Sequence, residues 1–158
     1  MKKVVFEQVG NIIITIILTI ATFQTVTTSK FNATYGNFNF ELNFNYTWLL
    51  FIVSIILFSL GRLFYANKIG INDGYNKKDG ELSAQDEREK IVGSEAAKVT
   101  YRALIYFLAI VLVLSIFTNV FIASFIILRI AFIVTIGSCL IFTFLTYLIA
   151  WIIFDNKI

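Results

Sequence analysis

Four long stretches of the chain contain no charged residue. They hold 22, 20, 26 and 25 residues and lie between the pairs Glu7 and Lys30, Glu41 and Arg62, Arg102 and Arg129, and Arg129 and Asp155. A helix needs about 20 apolar residues to cross a hydrocarbon core of about 30 Å, so each stretch is long enough. Helices are expected because isolated strands would leave backbone amides unpaired in lipid. The pattern predicts an all-α integral membrane protein with four transmembrane helices in an antiparallel bundle.

The predicted spans divide a single membrane domain, residues 1–158, into helices and loops. A turn within 118–124, without Pro or Gly, separates the last two spans. The third helix is expected to begin in the cytoplasm and to continue into the membrane. The predicted segments are spans at about 8–28, 47–66, 101–119 and 126–154, an outside loop at 29–46 and a cytoplasmic loop at 67–100.

Lysine and arginine are distributed very unevenly between the two predicted sides. Only Lys30 and Arg129 fall on the side of the first loop, whereas the other eleven fall on the side of the termini and the second loop. Cytoplasmic segments carry the excess of Lys and Arg. The bias therefore predicts a multi-pass protein of the cell membrane with both termini in the cytoplasm.

The first span also resembles a secretory signal peptide, because Lys2 and Lys3 precede its apolar run. However, the run is long, Glu7 interrupts its start, and no small-x-small cleavage site follows Ala21. These features favour a retained membrane helix.

Composition excludes a soluble domain and most kinds of catalytic site. Hydrophobic residues make up 58% of the chain and charged residues 15%, against roughly a quarter charged in ordinary globular domains. There is no histidine and only one cysteine, Cys139. We therefore expect no enzyme, no catalytic residue, no metal, no cofactor and no nucleic-acid partner. Abundant Ile, Phe, Asn and Lys without Pro indicate an AT-rich genome such as that of a low-GC bacterium.

The outside loop alternates strictly between apolar and polar residues from Asn37 to Tyr46. Period two over ten residues indicates a strand, and Tyr35-Gly36-Asn37 would form a hairpin turn. One interpretation is an outward face that binds a peptide or partner. The other is an aromatic strip resting on the membrane surface. The candidate binding face consists of Phe38, Phe40, Phe44 and Tyr46.

The second half of the cytoplasmic loop is typical of a helix that runs on into the third span. Ser83 with Asp86 three residues later offers a helix start, and acidic residues fill the first turn. One hypothesis is a docking point for a cytoplasmic or membrane partner, and the alternative is a solvated helix start. The candidate docking residues are Asp86, Glu87, Arg88 and Ile91.

The string Asp86-Glu87-Arg88, followed by Ile91 and Ala96-Ala97 ahead of the third span, resembles uncharacterised bacterial families of small four-helix membrane proteins. Those families carry a D-E-R-x-x-x-I pattern in the cytoplasmic loop. The resemblance covers nearly the whole chain in topology but only a short motif in residues. It implies no known activity. Proteins of this general kind are sometimes found beside regulators, transporters or bacteriocin immunity systems.

Ionisable residues near the spans are few. Arg62 lies at the inner end of the second span and is expected to extend toward the headgroups. Arg129 lies inside the start of the fourth span, where it would reach the lipid phosphates or pair with Glu41. Charged residues at membrane depth are often functional, so Arg129 is a candidate intramembrane polar site.

The sequence thus favours a small protein that acts by binding. Besides the lipid bilayer, the expected partner is another membrane protein or a second copy of the chain. It would be an accessory or regulatory subunit of a membrane complex, or an immunity-type protein against a membrane-active peptide. The alternative is a homo-oligomeric channel or small exporter, with Arg129 and the threonine-rich faces of the first and fourth spans along the path.

Overall fold

A computed structural model describes residues 2–34, 37–69, 75, 79–80, 83, 86–122 and 124–157. Within these ranges only the backbone is described at 31–34, 37–40 and 68–69. The predicted turn residues Tyr35 and Gly36, and most of the loop between 70 and 85, lie outside the described residues.

Four helices account for most of the described chain. They are α1 (Lys2–Thr28), α2 (Tyr46–Phe64), α3 (Glu87–Phe121) and α4 (Phe125–Asp155). All four are long and apolar enough to cross a membrane. A π-helical turn, Tyr65–Ile69, continues α2. The end of α3 at Phe121 and the start of α4 at Phe125 are separated inside 118–124, the stretch where the sequence predicts a turn.

The helices α1, α3 and α4 extend beyond the predicted spans. The limits of the spans stay predictions, because helix bounds do not locate a bilayer. The clearest case is α3, which has 35 residues. At 1.5 Å per residue its length is about 50 Å, well above the hydrocarbon thickness of about 30 Å. Part of α3 must therefore lie outside the hydrocarbon layer when the helix crosses it.

Two short strands lie between α1 and α2. They are β1 (Lys30–Thr34) and β2 (Asn37–Glu41), paired antiparallel with Lys30 opposite Glu41 and Thr34 opposite Asn37. Asn43 ties the chain after β2 to the end of α1, because its side-chain amide donates to the Thr28 carbonyl at 3.1 Å. The strands are thus held close to the helix ends.

The described helices pack in a row in the order α2, α1, α4, α3. Contacts join α1 with both α2 and α4, and α4 with α3, whereas no contact of that extent joins α2 with α3 among the described residues. The row leaves large apolar side chains of α2 and α3 exposed along most of their length. The predicted bundle is therefore open between these two helices, and its outer faces are left to lipid or to another protein.

The close packing of α1 on α4 depends on a glycine. A Cβ atom at Gly137 would overlap the Thr19 side chain, so only glycine permits this approach. Small residues serve this purpose in membrane helices because they let two backbones come together.

The buried apolar core is small and lies at one end of the helices, measured along their axes. It consists of Val4, Val92, Ala96, Tyr147, Ala150 and Trp151. We call this the termini end, because α1 begins and α4 ends there. The other end, where the strands lie, is the hairpin end. At the hairpin end, the Trp48 indole donates to the Thr25 hydroxyl at 2.7 Å, and Thr47 donates to the Gln24 side chain at 2.9 Å.

The start of α3 differs from its predicted start at Ser83. The helix begins at Glu87, with Asp86 as N-cap residue and without a side-chain capping bond. Ser83 donates its hydroxyl proton to the Gly80 carbonyl at 2.6 Å. Serine hydroxyls readily form such local backbone bonds, which compete with helix capping. Ser83 therefore closes a turn before the helix.

Candidate functional site

Polar side chains from α1, α2 and the following loop meet at the termini end. The Glu7 carboxylate accepts a hydrogen bond from Arg62 Nε at 2.7 Å and another from the Tyr75 hydroxyl. Arg62 Nε also lies 3.2 Å from the Tyr75 oxygen. The Glu7 side chain is only 5% exposed. We call Glu7, Arg62 and Tyr75 the polar clamp, since they join α1, α2 and the loop that follows α2.

Aromatic rings pack against the tyrosine of the polar clamp. Phe6 stacks on Tyr65 with ring centroids 5.1 Å apart, and Tyr65 meets Tyr75 edge-on at 5.0 Å. The Glu7 carboxylate is largely shielded from water, and a buried charge is costly unless it is paired. Arg62 provides the pair, in place of the extension toward headgroups expected from sequence.

The tyrosine of the clamp is held in its neutral form. Burial raises the pKa of the Tyr75 hydroxyl above its ordinary value of 10.0, and its hydrogen bond to Glu7 raises that pKa further. The nearby Arg62 acts in the opposite direction but does not reverse the shift. At neutral pH Tyr75 therefore keeps the proton that it donates to Glu7.

Gly80 lies directly against the clamp. Its φ of +55° is in the left-handed region, where side chains are unfavourable. A Cβ atom there would stand 2.7 Å from Arg62 Nη2 and 3.5 Å from Glu7 Oε1. A glycine at this position lets the loop backbone approach the ion pair closely.

Two more ion pairs connect the remaining helix ends. Lys3, whose side chain is 0% exposed, lies with its Nζ 2.7 Å from Glu89 Oε2 and joins α1 to α3. Arg88 Nη2 donates to the Asp155 carbonyl at 2.6 Å and lies 3.6 Å from the Asp155 carboxylate, so that α3 is joined to α4. Together with the clamp, these pairs link all four helices at the termini end.

The arrangement is suited to holding helices in position. The Glu7 carboxylate is already occupied by two donors, and the described residues contain no cluster of three or more His, Cys, Asp or Glu able to hold a metal.

The four candidate docking residues lie at the start of α3. Asp86, Glu87 and Ile91 are exposed, and Ile91 is 53% exposed although it is apolar. Arg88 is half exposed but bonded to the end of α4. Three of the four are therefore available to a partner, while Arg88 also has an internal role.

The candidate outside face is only partly described. Phe38 and Phe40 lie in β2, opposite Ala33 and Phe31, but their side chains lie outside the described residues. Phe44 and Tyr46 follow the strand and are exposed, and Phe44 packs edge-on against Trp48 at 5.8 Å. The binding and membrane-surface interpretations both stay predictions.

Arg129 is exposed in the second turn of α4. The described residues offer it no ion-pair partner, and the expected pairing with Glu41 is not among the ion pairs of the described chain.

Sequence reasoning missed the roles of Lys3, Glu7 and Tyr75. Lys3 and Glu7 are four residues apart and thus share one helix face, at the edge of an otherwise apolar span. Ionisable groups at such a place usually have a partner, and this spacing was the available signal. No local pattern identifies Tyr75, because Glu7, which accepts its hydrogen bond, lies 68 residues earlier in the sequence.

Residues 70–158, more than half of the chain, match the model of a family described as predicted membrane protein (DUF2178). The match includes α3 and α4, whereas α1 and α2 lie before it. No curated protein and no solved structure matches the chain.

Proposed function

The chain belongs to this DUF2178 family of predicted membrane proteins, and on that premise we propose that it acts by binding a partner in the membrane. The partner is a larger membrane complex, of which the chain is an accessory or regulatory subunit, or a membrane-active peptide, against which it gives immunity. The chain crosses the cell membrane four times as an antiparallel bundle. Both termini and the extended start of α3 are cytoplasmic.

The observation that carries the proposal is the two-faced start of α3. On one face Val92 and Ala96 are fully buried in the core, and Glu89 is bonded to Lys3. On the opposite face Glu87, Lys90 and Ile91 are exposed. We call these three residues and Ser94, also exposed, the docking face.

The docking face is held rigidly and combines charge with an exposed apolar residue. Ion pairs on both sides of it, Lys3–Glu89 and Arg88–Asp155, fix the helix before any partner arrives. A pre-ordered surface loses less conformational freedom when it binds. These features support recognition of a protein partner at the membrane boundary.

The contacts of the threonine hydroxyls favour binding over conduction. Thr15, Thr19 and Thr22 of α1, and Thr143 of α4, all donate to carbonyl groups of their own helices. The cavity of about 180 Å³ between these helices is lined by the three α1 threonines, but most of its surface is apolar and comes from residues such as Leu18 and Ile136. Channels use rings of charge or exposed carbonyls to replace an ion's hydration shell, and these described residues supply neither.

The proposal is tested by co-purification from native membranes with an affinity tag, followed by mass spectrometry. The parent chain should bring down one partner in fixed stoichiometry, and Ile91→Gln should lower that yield at least about tenfold, as loss of a central interface residue does. Ile153→Gln is the matched control, because Ile153 is also exposed, apolar and close to the termini end. It should keep the partner.

The identity of the partner separates the two roles. A stoichiometric membrane complex indicates an accessory subunit, and a membrane-active peptide indicates immunity. Equal yields from the Ile91 and Ile153 variants would contradict docking on α3. Recovery of copies of the chain alone, together with ion flux in liposomes, would instead support the channel.

A further inference from the structure

A groove at the hairpin end lies between α1 and α4, and Arg129, the one charged residue in the first two turns of α4, forms part of its lining. It is an open groove with a volume of about 390 Å³, and it is lined by Val26 of α1 and by Phe125, Leu128, Arg129, Phe132 and Ile133 of α4. Five of these six side chains are apolar. The groove therefore combines an apolar surface with the single positive charge of Arg129.

The charge of Arg129 is not balanced by the described residues around it. The other charged residues at this end are Lys30 and Glu41, which stand opposite each other in the hairpin register. Opposite charges at facing strand positions attract one another, although Lys30 and Glu41 form no ion pair among the described residues. Among the described residues, Arg129 has no ion-pair partner, and the one carboxylate at this end faces Lys30 in the strand register.

The position of Arg129 suits a lipid headgroup. It lies four residues after the first residue of α4, which is about 6 Å along a helix axis. An arginine at this depth extends toward the polar layer, and its planar guanidinium binds phosphate oxygens through two parallel hydrogen bonds. The groove beside it would accept the acyl chain that is attached to that phosphate.

We propose that this groove is a binding site for one anionic phospholipid, with an acyl chain along Val26, Phe132 and Ile133 and the phosphodiester on Arg129. A lipid with net negative charge is favoured over a zwitterionic lipid, whose ammonium group would be repelled by the arginine. The proposal rests on the membrane location of the chain and is independent of the partner-binding function.

Native mass spectrometry of the detergent-solubilised full chain tests the site with phosphatidylglycerol and phosphatidylcholine as probes. The parent chain should retain one phosphatidylglycerol, with a preference over phosphatidylcholine of at least about tenfold. Both lipids offer the same phosphodiester, but only phosphatidylcholine brings a second cation close to Arg129. Arg129→Gln should abolish that preference. Lys30→Gln, which removes a cation from the same end outside the groove, should leave it unchanged.

A second variant tests the groove without altering the charge. Ile133→Trp fills the acyl-chain position and should reduce retention of phosphatidylglycerol while Arg129 is intact. The proposal is overturned if the parent chain retains both lipids equally, or if Arg129→Gln keeps the preference. Release of the lipid by millimolar inorganic phosphate would also overturn it, because a site for free phosphate would then explain the arginine.

Discussion

The two ends of the helix row are held together by different kinds of interaction. At the termini end, three ion pairs join the helices, and two of the charged side chains, Lys3 and Glu7, are almost completely buried. At the hairpin end, the described contacts between α1 and α2 are neutral hydrogen bonds such as Trp48 to Thr25. One end therefore depends on charge and the other on polar groups without charge.

This difference has consequences for stability and for function. A buried ion pair tolerates the loss of one partner poorly, because the remaining charge has no compensation. A neutral hydrogen bond is worth only about 1 kcal/mol. The termini end should therefore be the more sensitive to single substitutions, and it is also the end that carries the proposed docking face.

The largest effect is expected from Glu7→Gln. The change leaves Arg62 partly buried without its anion, and the free energy of unfolding should fall by about 3 kcal/mol, the lower end of the range for a broken buried pair because Arg62 keeps some contact with solvent. Reversible SDS titration in mixed micelles measures this change. Glu95→Gln is the control, since its pair with Lys98 is exposed and should contribute less than about 1 kcal/mol. Equal effects of the two changes would contradict the clamp.

Gly80→Ala should have the next largest effect. An alanine at φ +55° is strained by about 1–2 kcal/mol, and its Cβ would also displace the Arg62 side chain. The same titration should show a loss of stability of that size. Gly61→Ala is the matched control, because its Cβ would meet Phe6 at an ordinary 3.4 Å. A stable Gly80→Ala variant would show that the loop does not rest on the clamp.

A smaller loss is expected at the hairpin end from Thr25→Val. The substitution removes the acceptor of the Trp48 indole and should lower the free energy of unfolding by about 1 kcal/mol. Thr27→Val should change it less, because the exposed Thr27 hydroxyl bonds only to its own helix among the described residues. A loss at Thr25 as large as that at Glu7 would remove the distinction between the two ends.

The smallest effect is expected from alkaline pH, which should lower the stability of the termini end. Because the folded-state pKa of Tyr75 is raised above 10.0, its contribution to stability is complete below that pH and is lost as the pH rises through the folded-state pKa. Melting temperatures of the parent and Tyr75→Phe, measured from neutral to alkaline pH, should therefore converge at the alkaline end. Tyr101→Phe, at an exposed position, should run parallel to the parent. If the melting temperatures of Tyr75→Phe and the parent keep the same difference at every pH, the raised pKa of Tyr75 is contradicted.

The sequence predicted the four apolar helices because a run of about 20 uncharged, mostly apolar residues is long enough to cross a membrane and too apolar to face water. The structure confirms four helices able to cross a membrane, and the comparison confirms a family of membrane proteins. The polar clamp was not predictable, since Tyr75 lies in a loop rich in Asn, Gly and Lys and is placed by contacts with α1. Ser83 was assigned to a helix start because its spacing to Asp86 suits a capping box, but its hydroxyl is used by the preceding turn. The motif, the orientation and the partner remain predictions.

The most direct test of the account is a double-mutant cycle on Glu7 and Arg62, with Glu7→Gln and Arg62→Gln measured singly and together by SDS titration. If the clamp joins α1 and α2, the double variant should be less destabilised than the sum of the single variants, with a coupling of about 2 kcal/mol. Effects that add to within about 0.5 kcal/mol would show that the two residues act independently, and would contradict the clamp as the basis of the termini end.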